Sequence, residues 1–251
     1  MKYIIIIFNI TFLFSMTGLD LATMMENRNK PTDTKSKSTM ELLKKNGKKR
    51  TLKLINKSKD NSRKQMIWFL EPRDDYGIAF LKIEKKGEAD FMNMWLPGFK
   101  KFRRISSQKK TDSFMGSDLS YEDMTNRDIE EYKFKLLDSE ALCKEDSDKK
   151  CYLLSSKPKD EFSEYSEHRT WVTKDTFLSL REESYDKEGE KLKYKLITYI
   201  KIDNYHIMNT LTVKNLQKNT STFLSVNDIK INNDYNDDIF HSRSLKRVPN
   251  D

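Results

Sequence analysis

Apolar and polar residues alternate along most of the chain, and this period of two is typical of half-buried β-strands. Segment 191–201 shows the pattern most clearly, because one face is mostly apolar and the other carries four lysines. The mostly apolar face consists of Leu192, Tyr194, Leu196, Thr198 and Ile200. We expect this face to point inward and the lysine face to lie in solvent.

Turn signals separate the alternating runs. They recur at Gly47, Gly87, Pro97-Gly98 and Gly189. The number of runs predicts about ten or eleven antiparallel strands joined by hairpins. A sheet of so many strands, covered on one face, must curl. We therefore predict a mainly β fold: a strongly curved antiparallel half-barrel closed by a few short helices.

Helical signals are confined to two short segments, 19–29 and 117–124, and the second begins with Ser117 or Asp118 as a candidate N-cap. A curved sheet closed by so few helices leaves a groove that the inward residues of its strands must line. We expect an apolar ligand in this groove. The candidate lining residues are Trp68, Leu81, Met94, Leu96, Phe102, Phe114, Met115 and Leu196.

The N-terminus has the order of a secretory signal. Lys2 precedes an apolar run that ends at Phe14, and the small or polar residues Ser15, Thr17 and Gly18 follow. The apolar run is too short to cross a bilayer. We predict a signal peptide at residues 1–18 and a single exported, soluble domain at residues 19–251; an uncleaved membrane anchor is the alternative.

The two cysteines, Cys143 and Cys151, flank a polar turn. In an antiparallel hairpin they would face each other across the ladder, which is the geometry that a disulfide needs. We predict that they are bonded. The alternative is two unrelated thiols in one hairpin.

The sequence contains no arrangement typical of catalysis. His168, His206 and His241 lie in separate segments without cysteines or carboxylates at metal-ligand spacing, and neither a nucleophile elbow nor a phosphate-binding loop is present. We expect no enzyme activity, no metal and no cofactor. The net charge of +8 comes from a Lys-rich composition that we assign to the surface, with no nucleic-acid partner.

Segment 94–124, "MWLPGFKKFRRISSQKKTDSFMGSDLSYEDM", begins as a hairpin around Pro97-Gly98. Its second strand carries cations on both faces, so one set must point inward and needs a carboxylate or an anionic ligand. In one interpretation, Arg103 or Arg104 pairs with Glu122 or Asp123. In the other, the arginines bind an anionic headgroup.

The same segment closely resembles the signature of the LolA-like outer-membrane lipoprotein-sorting proteins. The shared features are a Trp-x-Pro hairpin, an Arg-Arg-Ile strand, and Ser-Phe-Met-Gly-Ser-Asp followed by Tyr-Glu-Asp. Further similar pieces, such as "NGKKRTLKL" and "FLEPRDDYGIAFL", extend the resemblance over about residues 24–247.

The resemblance implies a LolA/LolB/LppX-like half-barrel that holds a lipid acyl chain or a lipoprotein in the periplasm and takes part in outer-membrane lipoprotein or lipid trafficking. An outer-membrane receiver or an RND-type inner-membrane exporter would be the partner. The alternative function is a non-enzymatic periplasmic adaptor of an RND-type exporter that carries no lipid.

We interpret segment 111–124 as a hinged lid. Gly116 would supply backbone freedom, Phe114 and Met115 would plug the groove, and the Tyr121-Glu122-Asp123 turn would latch onto Arg103 or Arg104. The alternative is that Phe114 and Met115 are ordinary core residues.

Overall fold

The computed structural model describes residues 16–144 and 146–250. Within them the chain forms one α-helix, α1 (Gly18–Glu26), and a sheet of 13 strands. The strands are β1 (Asp33–Leu43), β2 (Lys49–Lys59), β3 (Lys64–Glu71), β4 (Ala79–Ile83), β5 (Phe91–Leu96), β6 (Lys101–Ile105), β7 (Tyr132–Cys143), β8 (Asp146–Pro158), β9 (Glu167–Thr173), β10 (Ser179–Tyr185), β11 (Lys191–Ile202), β12 (Tyr205–Asn215) and β13 (Thr220–Ile231).

The sheet consists of two antiparallel meanders. Strands β1–β6 form one and β7–β13 the other, and the pairing of β1 with β13 joins them. Strands β6 and β7 are the two edges, so the sheet is not closed into a barrel. The predicted fold class is confirmed, with 13 strands where we predicted about ten or eleven. Five-residue strands such as β4 contain too few alternations to be counted reliably from the sequence.

Helix α1 confirms the helix predicted at 19–29. Thr17 and Asp20 form a reciprocal capping box at its N-terminus, and Leu21 and Ala22 pack against β8 and β9. Gly18 is required by close approach, since a Cβ there would lie 2.6 Å from the backbone nitrogen of Leu136 on β7.

The predicted signal peptide falls largely on residues 1–15, which lie outside the described residues. Of its last residues, Thr17 and Gly18 belong to the start of α1 as described above. Within the described part of the chain, no helix is both long enough and apolar enough to cross a membrane.

The connection between β6 and β7 joins the two edges of the sheet across its concave face. The helix predicted at 117–124 is wrong, because only Glu122–Met124 forms a single 3₁₀ turn there. The polar side chains that we expected to cap a helix bond elsewhere: Asp118 accepts hydrogen bonds from the hydroxyls of Thr220 and Thr222 on β13, and the Ser117 hydroxyl donates to the Phe114 carbonyl.

The convex face is also covered. Phe240 and Leu245, in the segment after β13, pack on Trp68 of β3 and Leu81 of β4, and the Trp68 indole donates to the Leu245 carbonyl at 3.2 Å. Farther along the sheet, Cys143 and Cys151 form a disulfide that joins β7 to β8. Parts of the sheet are therefore buried on both faces.

Candidate functional site

A cavity of about 640 Å³ lies on the concave face of the sheet. This volume is within the range of about 300–1,000 Å³ that is usual for small-molecule sites. Residues of α1, of most strands and of the β6–β7 connection line it. We treat this cavity as the candidate functional site.

The cavity exists because the inward residues of β1–β3 change in size along each strand. At one end they are large and apolar, and at the other they are small or polar. The large residues are Met40 and Leu42 on β1, Leu52 and Leu54 on β2, and Ile67 and Phe69 on β3. The polar residues that line the cavity are Thr34, Ser36 and Ser38 on β1, Asn56 and Ser58 on β2, and Gln65 on β3. Strand β4 follows the same trend, from Phe80 to Lys82.

Across from these polar residues, the lining is mainly apolar. Its apolar part is formed by Ile197 and Tyr199 on β11, Met208 and Leu211 on β12, Leu224 on β13, Phe134 on β7, Leu154 on β8, and Ala22 and Met25 on α1. We call this part the apolar wall. Polar residues line the same side of the cavity beside it, among them His168, Glu182 and Lys195. The cavity is therefore amphipathic.

The 111–124 segment fills the other part of the concave face. Phe114 has no exposed surface, and its ring lies 5.3 Å from that of Phe80, 5.7 Å from Tyr121 and 6.0 Å from Phe69. The Tyr121 hydroxyl donates to the sulfur of Met94 at 3.0 Å. Phe114 and Tyr121, together with the buried residues around them, form what we call the plugged cluster. Its other members are Met40, Leu42, Leu52, Leu54, Ile67, Phe69, Phe80, Met92, Met94, Ile105, Leu119 and Val213. Phe114 also forms part of the cavity wall.

Buried ion pairs fix the end of this segment to the opposite half of the sheet. Asp123 accepts hydrogen bonds from Lys195 at 2.6 Å and Lys193 at 2.8 Å, and from the Tyr165 hydroxyl at 3.0 Å. Burial opposes ionisation of Asp123, but Lys195 and Lys193 hold its pKa well below the usual range. The carboxylate is therefore charged at neutral pH.

A second carboxylate extends the network. Glu182 on β10 forms a double hydrogen bond with Arg127, at 2.5 and 2.8 Å, and a third bond with Lys195 at 3.1 Å. Burial raises the pKa of Glu182, but the attraction of Arg127 and Lys195 outweighs it and holds the pKa well below the usual range. Asp123 and Glu182 thus share Lys195, and together they tie the β6–β7 connection to β10 and β11.

The predicted pairing of Glu122 or Asp123 with Arg103 or Arg104 is wrong. Lysines of β11, not arginines of β6, pair with Asp123, and Glu122 accepts hydrogen bonds from the Ser163 hydroxyl at 2.5 Å and the Glu164 amide at 3.2 Å. Arg104 instead lies 3.9 Å from the centre of the Phe91 ring. Arg103 is exposed on the edge strand β6.

The predicted orientation of β11 is also reversed. Lys193 and Lys195 are buried and face the concave side, whereas Leu196, between Lys195 and the cavity-lining Ile197, points to the outer face. The alternation was correct, but its direction depended on Asp123 and Glu182, which neutralise the lysines from distant positions in the sequence.

Of the predicted lining residues, Phe114 alone lines this cavity. Met94 and Met115 belong to or pack against the plugged cluster. Trp68, Leu81 and Phe102 lie on the convex face under the C-terminal segment, and Leu96 is a partly buried residue at the end of β5. The convex placements reflect a second apolar cover that strand periodicity does not reveal.

His168 and Ser184 are the nearest approach to a nucleophile and base at this site. His168 Nδ1 lies 2.9 Å from the Ser184 hydroxyl and 3.7 Å from Glu182, so both partners meet the same ring nitrogen. A nucleophilic triad needs them on opposite nitrogens. Burial, together with the charge of Arg127, holds the pKa of His168 well below its usual value.

Cations lie where the cavity meets solvent. Arg28 and Lys30 follow α1 and line the cavity, beside the partly exposed Arg63. Arg63 is paired with Asp128 at 2.5 Å and with Glu26 at 3.4 Å. We refer to Arg28, Lys30 and Arg63 as the rim cations.

Comparisons with other proteins place the chain in a family. A protein-family model described as an uncharacterized protein matches residues 61–247, more than half of the 251-residue chain. Among curated proteins, none matches the sequence.

Solved structures share the fold over nearly the whole chain. A domain from Vibrio parahaemolyticus named for outer membrane lipoprotein sorting is 29% identical, with a TM-score of 0.86, and the match covers 92% of this chain and 98% of that one. A DUF1329 family protein from Desulfovibrio piger is also 29% identical, with a TM-score of 0.83 and coverage of 91% and 97%. A LolA superfamily protein from Nitrosomonas europaea has 17% identity, a TM-score of 0.73 and coverage of 92% and 100%, and it supports the fold alone.

Proposed function

The chain belongs to the LolA-like outer-membrane lipoprotein-sorting protein family, and on this premise we propose that it is a non-enzymatic carrier in the periplasm. Its cargo would be a lipid or a lipid-modified protein, and its role would lie in outer-membrane lipoprotein or lipid trafficking. An outer-membrane receiver or an inner-membrane exporter would complete the transfer.

The cavity of about 640 Å³ is the observation that carries this proposal. Its apolar wall, which includes Ile197, Met208 and Leu211, suits an acyl chain. Each buried methylene group contributes about 0.8 kcal/mol, so one long chain has a large gross driving force to leave water. Release then requires a receiver that binds the cargo more tightly, since only a difference in affinity moves it.

The contacts of the 111–124 segment favour an opening at the rim cations over a hinged lid. Phe114 is packed among rings of the plugged cluster, and Asp123 is held by two buried lysines. Opening this segment would separate Asp123 from the two lysines and break the ring contacts of Phe114 at the same time. We propose that the segment stays in place while cargo enters beside Arg28 and Lys30.

Native mass spectrometry of the protein purified from the periplasm, followed by lipid extraction, tests the carrier function. We expect a bound species that extraction identifies as an acyl lipid. Ile197→Trp should narrow the cavity and reduce retention, whereas Leu196→Trp, the neighbouring residue on the outer face, should not.

Protein that retains no lipid and binds no hydrophobic dye would contradict the carrier function. A stable complex with an RND-type exporter under those conditions would favour the adaptor function instead. Hydrolysis of lipid esters by the purified protein would contradict both.

A further inference from the structure

We propose that the cargo is an anionic amphiphile, whose acyl chain occupies the apolar wall of the cavity and whose carboxylate or phosphate group binds between Arg28 and Lys30. This inference rests on the proposed carrier function and deepens it, since it names the chemical class of the cargo.

The first argument is that Arg28 and Lys30 have unused donors. The guanidinium of Arg28 has five N–H donors, and the one hydrogen bond found for it runs from Nε to the Met25 carbonyl at 3.3 Å. The ammonium of Lys30 donates to the Glu26 carbonyl at 2.6 Å. Within residues 16–144 and 146–250, neither cation lies within ion-pair distance of a carboxylate.

The second argument is that these cations are partly withdrawn from water without such a partner. Burial lowers the pKa of Arg28, and burial together with repulsion from Arg28 lowers the pKa of Lys30 to about 8. Glu26 favours the charged form of Lys30, and Arg63 opposes it. An anion at this place would offset the desolvation of both cations and their mutual repulsion.

The third argument is the polarity of the nearest strand ends. Thr34, Ser58 and Gln65 line the cavity near the ends of β1, β2 and β3, and the register pairs Thr34 with Ser58 and Ser58 with Gln65. Hydroxyl and amide groups are suitable donors to carboxylate or phosphate oxygens. The apolar residues Tyr199, Ile207 and Met208 line the cavity from β11 and β12. The cavity therefore offers polar side chains to the anionic head group of an amphiphile and apolar side chains to its acyl chain.

A structural role for the two cations must be distinguished from binding. Both follow the C-terminus of α1 and donate to its last carbonyls, and cations at this position stabilise a helix by about 0.3–1 kcal/mol. Loss of that interaction would lower the thermal stability of the protein, whichever ligand is bound. Loss of a binding site would instead lower affinity for anionic ligands alone.

The experiment compares three single-chain probes below their micelle concentrations by isothermal titration calorimetry: myristate, myristoyl lysophosphatidylglycerol and the uncharged monomyristoylglycerol. The full exported chain is tested, beside the double variant Arg28→Gln/Lys30→Gln. The control is Lys45→Gln/Lys48→Gln, which removes two exposed charges from the β1–β2 turn.

We expect the two anionic probes to bind more tightly than the uncharged one. The rim variant should weaken anionic binding by about 10- to 100-fold, the range expected for the loss of charge-assisted hydrogen bonds. It should leave monomyristoylglycerol affinity unchanged, and the control variant should change the affinity for none of the probes. Tight binding of myristate alone would assign a carboxylate head, and tight binding of the lysophosphatidylglycerol alone a phosphate head.

Equal affinity for all three probes, unaltered in the rim variant, would overturn the anionic assignment while leaving a lipid carrier intact. Absence of binding by every probe would overturn this assignment together with the proposed function.

Discussion

The two ends of strands β1–β4 belong to the same curved sheet, yet their inward side chains fill the concave face at one end and leave a cavity at the other. At one end, Met40, Leu54, Phe69 and Phe80 point inward and pack around Phe114. At the other, serine, threonine, asparagine and glutamine point inward and leave a cavity. Curvature of the sheet alone therefore does not create the cavity. The size of the inward side chains decides which end of the groove is filled and which end stays open.

The charges follow the same division. Apolar contacts secure the part of the 111–124 segment that lies on the plugged cluster, whereas ion pairs secure Asp123 beside the cavity. A buried ion pair adds little net stability over an apolar contact of the same shape, but removing one partner is costly. The two anchors can therefore be broken separately.

The largest effect is expected from Asp123→Asn. This change leaves Lys193 and Lys195 buried without their shared carboxylate, so the free energy of unfolding should fall by about 3–5 kcal/mol. Urea denaturation followed by circular dichroism measures it. Asp112→Asn, an exposed position in the same connection, is the matched control and should have little effect.

The same variant should change the acid response. Because the folded-state pKa of Asp123 lies below its unfolded value, ionised Asp123 stabilises the fold above about pH 4, and this contribution is lost as the pH falls further. The unfolding free energy of Asp123→Asn should therefore depend less steeply on pH in acid than that of the parent. Equal slopes would contradict the ion-pair assignment.

A somewhat smaller effect is expected from Phe114→Ala. Truncating a buried phenylalanine costs about 3–5 kcal/mol, and we expect the lower end because the adjoining cavity lets neighbours relax. Phe99→Ala, at a residue with 73% exposure, is the control. Urea denaturation gives the stability, and probe titration gives the affinity of the folded fraction.

A fixed plug and a hinged lid, which would act as a gate, predict different outcomes for Phe114→Ala. If the segment is a fixed plug, stability falls, and lipid affinity in the folded fraction changes little because Phe114 is one of many residues that line the cavity. Loss of affinity with little loss of stability would instead show that the segment is a gate.

Much of the fold could be predicted from local sequence, because strand alternation and turn residues are local properties. The antiparallel meander and the helix near residues 19–29 follow from such signals. The direction in which each strand faces could not be predicted, as Lys193 and Lys195 show. Their inward orientation depends on carboxylates about 70 and 13 residues away along the chain.

The candidate site was harder to predict for the same reason. Phe114 could be placed in the groove from its signature, but Ile197 and Tyr199 follow from the reversed orientation of β11. Arg28 and Lys30 follow an unremarkable short helix in the sequence, and only the fold brings them to the cavity. The run "TKSKS" in β1 was a usable signal, since alternate small polar residues in a strand indicate a face with room beside it.

The smallest stability effect is expected from the disulfide. It closes a loop with a sequence separation of 8, for which chain entropy predicts a contribution of about 2–3 kcal/mol. Cys143→Ser/Cys151→Ser should therefore fold with the same cavity and bind the same probes. Mass analysis of the parent without reduction should find no free thiol, and detection of two would contradict the bonded form.

Photolabelling tests most directly whether cargo occupies the open end of the concave face and not the plugged end. Myristate with a diazirine at its terminal carbon is bound to the purified protein, irradiated and located by peptide mass spectrometry. The account predicts adducts at the cavity lining, in peptides that contain Ile197, Met208 or Leu211, and their loss with excess unlabelled myristate. Adducts concentrated on Met92, Met94 or Ile105 of the plugged cluster would contradict it.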